Sequence, residues 1–125
     1  MKRNPFNEEE LNRWFIFNQE CWYCKLFEKD KTKWNYPDCF HHIKGGSNSL
    51  LNAAPLNNFN CHLPNHGKLK KEENRKKLLK ETFIYLLSQG YKISKKEDIE
   101  FIEENKEIYE KFLTPSKIPG LDNSV

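Results

Sequence analysis

All four histidines of this 125-residue chain fall within 26 residues, as His41-His42 and His62-x3-His66, in the stretch that also holds Cys39 and Cys61. Imidazole nitrogens at i and i+4 share one face of a helical turn, the arrangement that holds a transition metal from a single helix. His41, on a preceding strand, adds a third nitrogen and leaves positions open for water or a phosphate oxygen. Strand alternation turns His42 away from His41, unless the strand end beside Gly45-Gly46 lets both converge on one cleft. A histidine left unligated, with a pKa near neutrality, can take a proton from an attacking water. The chemistry to look for is metal-assisted hydrolysis, with His41, His62 and His66 as ligands and His42 as base.

The elements needed to position these groups are legible in outline. Asn7 before Glu8-Glu9-Glu10 predicts an N-capped helix over 8–20 carrying Leu11, Trp14 and Phe15 on one face. Cys21-Trp22-Tyr23-Cys24 predicts a tight turn or knuckle, followed by a Lys/Asp-rich loop to Pro37-Asp38. Cys39 to Ile43 and Ala53 to Leu56 read as short strands, with a loop at Lys44-Gly45-Gly46-Ser47-Asn48 between them. A short helix is expected over Cys61 to Lys68, with Pro64 in its first turn. Beyond Leu69, Leu79, Phe83 and Leu87 recur at helical spacing up to a stop at Gly90. A capping box at Ser94-Lys95-Lys96-Glu97 predicts a second helix carrying Ile99, Ile102, Tyr109, Phe112 and Leu113 to Pro115. The expectation is one α+β domain over 1–125: an N-terminal helix, a small core at 21–69, a helical hairpin at 70–114 and a poorly ordered tail at 115–125.

At 37% hydrophobic and 31% charged residues the composition is that of a globular domain, and nine Phe, five Tyr and three Trp argue against disorder. No run is long and apolar enough for a signal peptide or a membrane span, so a cytoplasmic protein with no membrane partner is expected. In that setting Cys21, Cys24, Cys39 and Cys61 read as metal ligands or free thiols, in preference to disulfides. The net charge is only +3, but Lys68 to Lys80 holds seven Lys/Arg against two Glu, and Glu97 to Glu110 holds seven acids against one Lys. The basic run follows the presumed metal helix, so Lys68, Lys70, Lys71 and Arg75, with Lys44 in the strand loop, are candidates for DNA phosphate contact. Solvated helix faces account for both charge runs as well.

The run His41-His42-Ile43-Lys44-Gly45-Gly46-Ser47, then Asn52-Ala53-Ala54-Pro55-Leu56, then Cys61-His62-x3-His66 resembles the signature of the HNH, or ββα-metal, endonucleases. The resemblance covers about a quarter of the chain. It implies His42 as general base, His41, His62 and His66 as ligands of a divalent catalytic ion, and Asn52 as the residue that fixes the loop and orients the base through its amide. Much of that family has Asp where His41 stands, a departure that leaves magnesium, manganese, nickel and zinc open as the catalytic metal. Relatives with two C-x2-C pairs imply a structural zinc. Here Cys21 and Cys24 match the first pair, Cys61 matches the last thiol, Asn58 stands where its partner would be, and Cys39 is the substitute. A three-Cys site with a borrowed His, and plain thiols, are the alternatives. The implied activity is cleavage of DNA to a 5′ phosphate and a 3′ hydroxyl, by a phage or mobile-element protein acting as monomer or homodimer. A junction-selective nuclease and a non-catalytic zinc-stabilised DNA-binding module are the rival readings. A toxin reading lacks a delivery signal.

Overall fold

The computed structural model describes residues 6–30 and 32–110. In chain order it contains α1 (Glu8–Phe15), α2 (Trp22–Leu26), β1 (Cys39–His42), a 3-10 turn (Leu50–Asn52), β2 (Ala53–Leu56), a π turn (Asn58–His62), α3 (His66–Leu69), α4 (Glu72–Ser88), α5 (Lys96–Glu104) and α6 (Lys106–Tyr109). It is a small α+β fold in which helices dominate one antiparallel hairpin sheet.

Asn7 caps α1 as expected, its side chain accepting from Glu10 N at 3.1 Å. The helix stops at Phe15, short of 20, because Leu11 and Phe15 are its buried contacts and the next turn offers only Asn18 and Gln19 to that face. Without an apolar stripe to bury, a helix of this length is not sustained. The Cys21–Cys24 segment is a short helix, not a knuckle: Cys21 occupies the N-cap position and Lys25 N donates to its carbonyl at 3.1 Å.

β1 and β2 pair with Cys39 opposite Leu56, Phe40 opposite Pro55, His41 opposite Ala54 and His42 opposite Ala53. Ile43 N donates to Asn52 O at 2.9 Å. Alternation from that bonded pair puts Pro55, which has no N–H, at a position where none is needed. All four residues of β2 are buried, and α4 lies against them.

The contact between α4 and the sheet is polar at its centre. Trp22 Nε1 donates to Thr82 Oγ1 at 2.8 Å, and Thr82 Oγ1 donates to Ala53 O at 2.8 Å. One hydroxyl thus satisfies the indole of α2 and a β2 carbonyl, both deep in the core. Thr82→Val keeps the shape and strands both groups, so a loss of about 2–4 kcal/mol is expected. A urea titration would show it as a lowered midpoint at unchanged slope; an unchanged midpoint would refute the account.

α4 ends as its Gly90 predicts. Gly90 has φ 88°, its N–H donates to Leu87 O at 3.0 Å, and Tyr91 N donates to Leu86 O at 3.0 Å, a Schellman closure. The capping box at Ser94 does not form: Lys95 takes the N-cap position without a side-chain bond. Packing sets this start. Asp98 in the first turn is fully buried and accepts from Ser49 Oγ at 2.6 Å and Tyr91 OH at 2.5 Å, while Lys95 pairs with Glu10 of α1. The second helical segment breaks at Asn105, so α5 docks on the 3-10 turn and α6 returns to α4. Phe112, Leu113, the stop at Pro115 and the expected tail lie outside the described residues. Among the described residues no helix is long and apolar enough to cross a membrane.

Candidate metal centres

Two groups of metal-ligating side chains converge in the fold. Cys21, Cys24 and Cys61 form one, and His41, His62 and His66 the other; within each, the donor atoms lie within 4.8 Å of one another. The π turn Asn58–His62 joins them, because its adjacent residues Cys61 and His62 enter the two different groups.

The cysteine group is enclosed, all three residues being buried. Cys21 at the N-cap and Cys24 within α2, three residues apart, lie on one side, and the π turn that follows β2 delivers Cys61. Cys24 Sγ and Cys61 Sγ are 3.7 Å apart. Zinc–thiolate bonds of about 2.3 Å in a tetrahedron require about 3.8 Å between sulfurs. Two N–H groups already face the cluster: Asn57 N donates to Cys21 Sγ at 3.3 Å, and Asn35 Nδ2 to Cys24 Sγ at 3.3 Å. Burial raises the thiols of Cys21 and Cys61 above their ordinary range, and the neighbouring Cys21 raises Cys61 further. A bound cation would offset the cost of charging Cys21 and Cys61 there.

Cys39 is not the fourth member. It lies on β1 two residues before His41, hence on the same face of the strand, and its Sγ donates to Leu56 O at 3.3 Å and stands 3.9 Å from His62 Nδ1. Burial first, then the nearby Asp38 carboxylate, pushes its thiol up to about 11. The four-cysteine site expected from the sequence is therefore a three-cysteine group, with Cys39 on the histidine side.

The histidine group is graded in exposure, with His41 buried, His62 half-buried and His66 exposed, so it opens to solvent on the His66 side. His62 Nε2 lies 3.2 Å from His41 Nδ1. A tetrahedral ion with nitrogen ligands at about 2.05 Å sets such atoms about 3.3 Å apart. Burial, then the nearby His66, holds the His62 pKa down, which favours the neutral, ligating form. His62 and His66 do not share one helical turn, as their spacing suggests. His62 closes the π turn, Leu63 to Asn65 form a non-helical turn and His66 opens α3. Pro64, with no N–H, breaks the segment between them, and tertiary packing brings the rings to 5.3 Å between centroids.

His42 stands outside this trio. On the opposite face of β1, its ring stacks on Phe6 at 4.0 Å between centroids and 14° between planes, and its Nε2 is 3.1 Å from Asn48 Oδ1. Asn52, fully buried, accepts from Lys44 N at 2.8 Å and donates to Ser47 O at 3.0 Å. Its amide bonds to the backbone of the glycine loop and makes no bond to the His42 ring. Its backbone carbonyl reaches β1 next to His42, through Ile43 N. Phe6 and Asn48 were not foreseeable as partners of His42: one lies 36 residues upstream and the other in a loop whose path the tertiary fold sets.

The basic candidates divide. Lys70 and Lys71 are exposed between α3 and the body of α4. Lys68 Nζ donates to Tyr23 OH at 3.2 Å and sits over the Tyr23 and Phe27 rings. Lys44 is 3.8 Å from Glu72, and Arg75 is half-buried with its Nε lacking a hydrogen-bond partner. A separate cleft of about 600 Å³, bounded by Lys44–Asn48 and by Glu97, Glu100 and Glu104 of α5, is acidic along its helical wall and ill suited to phosphate. Set against models of protein families, curated proteins and solved structures, the chain has no match.

Proposed function

We propose that the chain is a metal-dependent DNA endonuclease of the HNH type, stabilised by a zinc ion at Cys21, Cys24 and Cys61. The observation that carries the reading is the convergence of His41, His62 and His66, from a strand, a π turn and a helix, at spacing that suits a divalent ion and with one side open. The cysteine trio is closed and suits a structural ion, its fourth position falling to a group other than Cys39.

In this reading an ion on the histidine trio would supply Lewis-acid stabilisation of the charge that develops on the phosphate and leaving oxygen. His42 is the base in this reading, and because its ring lies on the β1 face opposite His41, the attacking water meets it at the end of the strand beside the glycine loop. Asn48 Oδ1 accepts only, so a proton held on Nε2 at 3.1 Å leaves the Nδ1 lone pair as the base. Phe6 holds the ring plane, and Asn52 holds the Lys44–Ser47 loop beside it. Lys70 and Lys71 extend the site with positive charge along the course of a phosphate backbone.

The test is supercoiled-plasmid nicking by chelated protein resupplied with magnesium, manganese, nickel or zinc. Nicking that returns with a metal and is lost in His62→Ala is expected. DNA binding without cleavage under every metal, on plasmid and branched DNA alike, would sink the catalytic reading. The second reading is then a metal-stabilised DNA-binding module, favoured by one observation: His42 is packed on Phe6 and bonded to Asn48, apart from the trio.

A further inference from the structure

Asn58 occupies the position where the resemblance would put a zinc-binding cysteine, yet its side chain turns to the histidine group. It opens the π turn, four residues before His62, and its Oδ1 lies 3.0 Å from His62 Nδ1. The backbone holds it there, since Asn58 N donates to Asp38 Oδ1 at 2.7 Å. Cys39 Sγ, whose single proton goes to Leu56 O at 3.3 Å, stands 3.9 Å from the same amide oxygen. An amide oxygen accepts and cannot donate, so a bond at this distance requires the proton on His62 Nδ1. The lone pair is then left on Nε2, the atom 3.2 Å from His41 Nδ1.

We propose that Asn58 is a positioning residue of the histidine centre: its amide oxygen fixes His62 as the Nδ1–H tautomer and so presents Nε2 to the metal. This rests on the reading of His41, His62 and His66 as a metal centre. Hydrogen-bond acceptors of this kind orient ligand rings, and their loss lowers metal affinity by about 10–100-fold. The same π turn delivers Cys61 to the other group one residue earlier, so the residue that the cysteine site does without serves the neighbouring site.

The tautomer is readable in metal-free protein by long-range proton–nitrogen correlation of the histidine rings. Wild type is expected to carry the His62 proton on Nδ1. Asn58→Leu removes the acceptor and is expected to shift His62 toward the Nε2–H form, while Asn58→Asp, which still accepts, keeps the wild-type pattern. Zinc titration against a chromophoric chelator then gives the affinities. Asn58→Leu should weaken the histidine-site ion by about 10–100-fold, with the cysteine-site ion unaffected and Asn58→Asp restoring the loss. A proton on His62 Nε2 in wild type, or equal affinity in Asn58→Leu, overturns the role of Asn58 alone. A wild type that takes up no ion at the histidine site overturns the metal centre and this role with it. Neither result depends on whether the chain cleaves DNA.

Discussion

His42→Ala is expected to lower the single-turnover nicking rate by about 10²–10⁴-fold while leaving metal uptake by the histidine trio intact. The two halves of this prediction come from the same placement. His42 lies on the face of β1 opposite His41, with Nε2 at Asn48 and its ring on Phe6, and it is no member of the ligand group. Removing it costs a proton acceptor and no ligand. His62→Ala, by contrast, should lose both cleavage and the ion. Rates measured at saturating metal, beside a metal-binding isotherm for each variant, separate the two roles. A His42→Ala protein that nicks at the wild-type rate would remove His42 from the mechanism and leave the trio to be explained otherwise.

Removing the ion from the cysteine group is expected to cost about 4 kcal/mol or more, the linkage contribution of an ion present at a thousand times its Kd. The hydrophobic core is small, and the ion would tie α2 to the π turn, two segments 37 residues apart at Cys24 and Cys61. Chelation or Cys61→Ser should therefore lower the thermal midpoint by many degrees, whereas Cys39→Ser, outside the group, should change it little. A four-cysteine site would make the two substitutions comparable, and that result would overturn the assignment.

The pH dependence gives a second, opposite-signed signature. In the metal-free chain burial raises the thiols of Cys21 and Cys61, so their contribution to stability is full below the ordinary thiol pKa of 9.0 and is lost as pH rises past it. With zinc bound the ligands are thiolates, and stability rises with pH through the neutral range as proton competition fades. Melting curves at pH 6 and pH 8 with zinc, and at pH 8 and pH 10 without it, would read the two signs.

Much of the scaffold was legible because local rules set it. Asn7 capped α1 and Gly90 closed α4, each through a bond made within a few residues, and Ala53 to Leu56 formed β2 by pairing with the preceding strand. The ligand types, and their division between strand and helical segments, could be read from order and spacing alone. Elsewhere local signals lost to packing. The capping box at Ser94 yielded to the buried Asp98, whose partners Ser49 and Tyr91 hold a carboxylate where a capping serine would have set another start.

The sequence by itself determined the chemistry on offer: three histidines at ligand spacing, a fourth beside them, and thiols to either side. The tertiary structure alone decided the allocation. Docking brought Cys39 beside His62 and stacked His42 on Phe6, and it made the rings of His62 and His66 meet across the break at Pro64. It also put Asn58 on His62 and Asn48 on His42. Spacing along a chain specifies which side chains share a local face. Which of them meet depends on where distant elements dock, and that is set by burial of β2 and of α4 around Thr82, which ties α4 to Trp22 of α2 and to Ala53 of β2.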